Sequence, residues 1–269
     1  MATFFGEVVY PTSRAFFDDY DDSDVDNEEQ DTAFENRPQL TLVKLSEDSL
    51  SEYSGIIISD GTVSTGFSQI YMLQKSDKLL AEVDFSKGNV YNPEDVVVIK
   101  QKPSITSKLY LLSNRFLLLQ VSPSIDVTVA NQLTTLIAPW LLKCKEVIVL
   151  ASRHNANFRC DSINDLPSAF IRALSTSKFV FPDTIRHLEQ PNFISDFPAS
   201  VLSWCESQEK PGLLIVLYSD QSYIDSVALD PLLKVFPQVG LSSYIINKEP
   251  TNVHSKSILK DMDKSFMYM

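Results

Sequence analysis

Residues 55–61 read Gly55-Ile56-Ile57-Ile58-Ser59-Asp60-Gly61. The apolar residues run without alternation and close on an Asp-Gly pair. A strand with one face in water alternates apolar with polar residues. A run that is apolar at every position suits a strand covered on both faces, as in a parallel sheet between helix layers. Val147-Ile148-Val149-Leu150-Ala151, after Glu146, and Leu213-Leu214-Ile215-Val216-Leu217-Tyr218, after Gly212, have the same character.

Other strands are expected at 39–43, 79–83, 95–99, 109–112 and 116–121, with Ser113-Asn114 as the tight turn of an antiparallel hairpin. Val129, Leu133, Leu136, Ile137, Trp140 and Leu141 fall at helical spacing. They predict a helix capped by Ser124 or Asp126 and kinked or broken at Pro139. Phe170, Ile171 and Leu174 predict a short helix entered through Leu166-Pro167. Further helices are expected over 199–205, 227–236 and the polar stretch after Pro250; 65–73 reads as helix or strand. Helices alternating with buried strands in the second half give an α/β fold: a mostly parallel central sheet with an antiparallel hairpin and flanking helices.

The formal net charge is -12, but ten acidic residues and no Lys or Arg lie between Ala15 and Asn36. That stretch lacks the hydrophobicity to fold and its like charges repel, so it is expected to be a disordered tether. The remainder is near neutral, and no basic patch favours nucleic acid or an anionic membrane. No apolar run approaches the roughly 18 residues of a membrane span. The expected organisation is therefore an apolar tip and acidic tether over 1–36, an α/β domain over 37–250, and a C-terminal helix and tail over 251–269. Three widely spaced cysteines suggest a reducing compartment. The cytoplasm is expected, with the nucleus or the outer surface of the endoplasmic reticulum as further locations.

Seven glycines supply neither a dinucleotide fingerprint nor a phosphate loop, and no G-x-S-x-G elbow occurs. His154 and Cys160 do not make a zinc site without a second pair of ligands. No cofactor or metal is expected. Arg153-His154, just past a buried strand, and His187 with Glu189 are the residues an enzyme would use. The two ends of the chain are more distinctive. Phe4 and Phe5 form an apolar tip on the acidic tether, either a docking peptide or a capping strand. Phe266, Met267, Tyr268 and Met269 end the chain as apolar, Tyr, any residue, free carboxylate. Such an end can plug a pocket: the apolar side chains fill it, the ring packs, and the carboxylate meets an ammonium or backbone N–H groups.

Several blocks together carry a resemblance. Ala2-Thr3-Phe4-Phe5-Gly6-Glu7-Val8-Val9 opens the chain before the acidic stretch. Leu166-Pro167-Ser168-Ala169-Phe170-Ile171-Arg172-Ala173-Leu174 is a second block. Leu188-Glu189-Gln190-Pro191-Asn192, followed by Phe197-Pro198-Ala199-Ser200-Val201-Leu202-Ser203-Trp204-Cys205, is the third. In order and spacing, and with the hydrophobic-Tyr-any ending, they resemble the proteasome assembly chaperone 1 family. Between 39 and 142 the similarity rests on strand pattern only.

The resemblance implies a chaperone and not an enzyme. It implies pairing with proteasome assembly chaperone 2, binding to proteasome α subunits, and promotion of α-ring assembly. It further implies that Met267, Tyr268 and Met269 enter a pocket between α subunits, where the carboxylate pairs with a lysine of the ring. Two other readings remain beside it: an α/β enzyme of hydrolase or phosphorylase type using Arg153, His154 and His187, and a generic adaptor binding through its C-terminus.

Overall fold

The structure, a computed structural model, describes residues 39–45, 52–86, 105–112, 115–122, 125, 127–160, 166–220 and 224–245. The expected strand over 95–99, the turn at Ser113-Asn114, the caps Ser124 and Asp126, and the terminal helix lie outside the described residues.

Among the described residues, eight strands form one sheet in the order β1-β3-β4-β5-β2-β6-β8-β7. They are β1 (Gln39–Lys44), β2 (Gly55–Asp60), β3 (Lys78–Ser86), β4 (Ile105–Leu111), β5 (Phe116–Gln120), β6 (Val147–His154), β7 (Ala169–Ser175) and β8 (Gly212–Ser219). The centre, β5-β2-β6-β8, is parallel. Antiparallel pairing extends beyond the expected hairpin of β4 with β5: β1 pairs with β3, β3 with β4, and β7 with β8.

Helices cover both faces: α1 (Thr62–Tyr71), α2 (Ala130–Lys143), α3 (Asp196–Ser207) and α4 (Ser226–Val235). Ile56 and Ile58 point into one core with Leu133, Ile137, Val201 and Cys205 of α2 and α3. Ile57 points into the other with Phe67 and Ile70 of α1 and Leu232 of α4. The unbroken run at 55–59 follows from this, because neither face of β2 meets water. Burial also pushes the Cys205 thiol up to about 12, which makes it an inert core group.

Three expectations change. Residues 169–175 form a strand, not a short helix. Paired along their whole length with β8, they bury Phe170 and Arg172 toward one side while Ile171 packs on the other. Two stacked aromatic residues and a ladder of backbone bonds outweigh a weak helical spacing. The helix at 130–143 starts after a 3₁₀ turn at Val127–Val129, with no side-chain cap at Val129. It also runs through Pro139 without a break. Pro139 is on the exposed side, and the carbonyl it leaves without a donor belongs to Thr135, also exposed, where water can serve it. The segment read as helix or strand at 65–73 is helical as far as Tyr71, the end of α1.

α1 is aligned by Gly61, whose φ of 86° and ψ of 162° belong almost exclusively to glycine. A Cβ there would lie 2.4 Å from Ser152 Oγ. Gly61→Ala is expected to cost about 1–3 kcal/mol, read as a lower urea midpoint at unchanged m-value.

Candidate functional site

Phe4, Phe5, Phe266, Met267, Tyr268 and Met269 lie outside the described residues. What is described is the point from which the C-terminal segment departs. After α4, Leu241 is buried and Ser242–Tyr244 make a 3₁₀ turn. The Tyr244 ring lies 4.4 Å from that of Phe116, the first residue of β5, and Ile245 packs against the same core. Glu146, just before β6, faces this corner. The chain therefore continues from the amino ends of the parallel strands, with 24 residues from Ile246 to Met269 beyond it.

Glu146 is half-buried, and burial alone pushes its carboxyl above the ordinary 4.5. A raised carboxyl favours the folded state fully below the unfolded value and loses that contribution as pH rises through the folded one. Glu146→Gln is thus expected to raise the melting temperature at neutral pH, and the gain should vanish below about pH 4. Melting curves of both proteins across that pH range are the check.

The residues an enzyme would use do not converge. Arg153, at the carboxyl end of β6, donates from Nη1 to Asp60 Oδ2 at 2.9 Å and to the Ser152 carbonyl at 2.9 Å. Its Nη2 lies 3.7 Å from Asp196 Oδ2 at the start of α3. Burial of Asp60 outweighs the Arg153 charge and pushes its carboxyl up. His154 turns away, accepting from the Ala156 N–H at Nδ1 to cap a local 3₁₀ turn. His187 stacks on Phe181 at 3.7 Å and lies beside Ala173 on the outer side of β7. It is three strand spacings and three residues from Arg153, on the order of 17 Å at the backbone.

The topological switch lies between β2 and β5, whose following helices take opposite faces. Open α/β sheets often bind ligands at that position. Here the side chains described there engage one another. Gln120 Nε2 donates to Ser68 Oγ at 3.0 Å, and the Val121 N–H donates to the Ser59 carbonyl at 2.9 Å.

The sequence blocks at 166–174 and 188–192 meet in a clasp. Arg172 is 6% exposed. It holds Glu189 through two hydrogen bonds, from Nε at 2.8 Å and Nη2 at 3.1 Å, and gives a third to the Ile171 carbonyl at 2.9 Å. Its guanidinium centre sits 5.0 Å from the rings of both Phe158 and Phe170. These bonds hold the Glu189 carboxyl below its usual range. Asn192 continues the clasp, accepting from the Arg159 N–H at 2.6 Å and donating to the Arg159 and Glu189 carbonyls.

The clasp pins a long irregular connection, 176–195, around the edge of β7. Thr176 Oγ1 donates to the Lys210 carbonyl, and the Ser177 backbone and hydroxyl both donate to Glu206. From this fixed segment Phe193 stands 73% exposed and Val180 90%. The sequence reading missed both, since one apolar residue in a polar loop has no periodicity to reveal it.

A family model labelled PAC1 and described as proteasome assembly chaperone 4 matches residues 1–268. Curated relatives named proteasome assembly chaperone 1 are similar over most of the chain. The one from Callithrix jacchus is 28% identical over 262 residues, covering 89% of this chain and 90% of its own. The Homo sapiens protein is 26% identical over 287 residues, covering 99% of each. The Danio rerio protein is 28% identical over 240 residues, 85% of this chain and 87% of its own. Among solved structures, Pyrococcus furiosus PbaA, an archaeal homolog of proteasome-assembly chaperone, superposes with a TM-score of 0.52 at 14% identity, covering 84% of this chain and 92% of that one. Pyrococcus furiosus PbaB, an archaeal proteasome activator, gives 0.50 at 13% identity, covering 85% and 98%. These two likenesses establish the fold; the family match over nearly every residue places this chain in the proteasome assembly chaperone 1 family.

Proposed function

We propose that this chain pairs with proteasome assembly chaperone 2 and promotes assembly of the 20S proteasome α ring, lodging Met267-Tyr268-Met269 between α subunits. The observation that carries the reading is the sequence of the free end, hydrophobic-Tyr-any-carboxylate, on a chain of this family. The rooted corner at Tyr244 gives that end a fixed origin.

The energetics require more than one contact. A Tyr anchor with one charge-assisted bond is worth about 3–5 kcal/mol before ordering costs, at best roughly millimolar binding. A second tail or a domain surface raises apparent affinity by about 10²–10⁴ through effective concentration alone. Moderate single contacts also suit a chaperone that must leave when the ring matures. Phe4 and Phe5 on their acidic tether are a further contact in this scheme, and deleting residues 2–10 should change the pattern of α-ring intermediates. The work is done by binding, in the cytoplasm, and needs neither cofactor nor catalysis.

Native mass spectrometry of the complex purified with an N-terminal tag tests the reading. The expected masses are this chain, a second α/β chain of the chaperone 2 type, and proteasome α subunits. A complex holding none of the α subunits overturns it.

A further inference from the structure

The joint between β2 and α1 is polar where the rest of that interface is apolar. Ser59, two residues past Ile57 on β2, faces α1 on the same side of the sheet. Its register partners are Gln120 of β5 and Leu150 of β6. Gln120 shares that face with Leu118, and Ser152 shares it with Leu150. From α1 come Ser64 and Ser68, one turn apart and both buried. Serines and a glutamine therefore meet in one layer, at the carboxyl ends of three parallel strands.

Two corners of that layer are closed by bonds between protein groups. At one, Gln120 Nε2 donates to Ser68 Oγ, which itself donates to the Thr65 carbonyl at 2.8 Å. At the other, the Ser64 N–H reaches Ser152 Oγ at 3.4 Å, and Ser152 Oγ reaches the Asp60 carbonyl at 3.5 Å. The hydroxyls of Ser59 and Ser64 belong to the middle. Both residues are 0% exposed, and neither hydroxyl has a hydrogen-bonding partner among the described residues. Thr65 Oγ1, next to them, reaches the Ser59 carbonyl only at 3.5 Å. The bonds around the two hydroxyls are thus at the long limit for a hydrogen bond.

We propose that this joint is a binding site for one internal water, held between Ser59 Oγ and Ser64 Oγ and tying α1 to the end of β2. A buried hydroxyl without a partner bears the whole cost of leaving solvent, so such groups in native proteins are met by protein or by an ordered water. Two hydroxyls in one layer, each able to donate and to accept, meet the need of an internal water for two to four polar partners. The long bonds around them have the same cause, because groups spaced to admit a water between them do not also close on one another. Water fits the chemistry better than a charged ligand. The layer is flanked by Leu118, Leu150 and Phe67, and the charges nearest along the strands, Asp60 and Arg153, are paired on the other face of the sheet. The switch point, where open α/β sheets often take a ligand, thus takes a solvent molecule as part of the fold.

Oxygen-17 relaxation dispersion of the full chain in solution counts waters held inside the protein and does not register hydroxyl protons in exchange. Wild type is expected to hold one more such water than the Ser59→Ala/Ser64→Ala chain, checked as folded by its melting curve. Equal counts overturn the proposal. A high-resolution crystal structure of the wild-type chain is the second measurement, and it decides alone if the double variant does not fold. An ordered water within about 2.5–3.0 Å of both hydroxyl oxygens is expected there. The two hydroxyls bonded directly to each other, or each turned to a protein group with no water between them, overturns the proposal.

Discussion

Deleting Met267 to Met269 removes capture of proteasome α subunits while the chain keeps its fold and its pairing with a second chaperone chain. That is the result expected from the proposed function. The last described core contacts are made by Leu241, Tyr244 and Ile245, well before the final three residues. In the proposed binding mode the tail contributes about 3–5 kcal/mol, and avidity multiplies its loss, so capture should fall by about 10²–10⁴. Tyr268→Ala should act almost as strongly, because the ring is the main anchor. A tag added after Met269 should match the deletion, because it replaces the free carboxylate with an amide. Pull-down of recombinant α subunits with the four proteins is the measurement. Unchanged capture by the deletion would sink the plug reading, and with it the role assigned to the carboxylate.

Arg172→Ala is the substitution expected to damage the folded domain most. It empties a buried position between two aromatic rings and frees Glu189. Breaking a fully buried ion pair on one side costs about 3–5 kcal/mol. The Glu189 side chain is 48% exposed and can rehydrate, so about 2–3 kcal/mol is expected instead. In a domain of this size that lowers the melting temperature by about 5–10 °C. Arg172→Lys should recover less than half of the loss, since an ammonium neither bonds Glu189 at two points nor lies flat against the rings. The pH dependence has a definite sign. Glu189 is held below its ordinary 4.5, so its contribution is present above that value and is lost as pH falls through the lower folded one. The gap between wild type and Arg172→Ala should narrow in acid. Limited proteolysis supplies the local readout: cleavage within 176–195 should rise well before global unfolding.

Much of the architecture was legible from residue order. The runs at 55–59, 147–151 and 213–218 announce strands covered on both faces, and all three lie in the parallel centre of the sheet. The periodicity from Leu133 to Leu141 gives α2 because its apolar stripe is long enough to be unambiguous. Phe170, Ile171 and Leu174 misled for the opposite reason. Three apolar residues fit a helix turn or a strand equally, and the choice was made by Tyr218, which stacks on Phe170, and Phe158, which meets it edge-on, both from other parts of the chain. Arg153 and His154 stood out because they follow a buried strand, and His187 because it could pair with Glu189 as acid and base. Their partners, Asp60, Ala156 and Phe181, separate them.

The amino-acid sequence by itself determined the α/β class and the family. Those depend on local patterns and on covalent order. The tertiary structure alone decided that β7 is a strand and that Arg172 and Glu189 form a clasp around the sheet edge. Each of these rests on contacts between residues 17 or more positions apart. Such a contact is set by the balance of burial and pairing in the assembled core, which no local window of sequence contains.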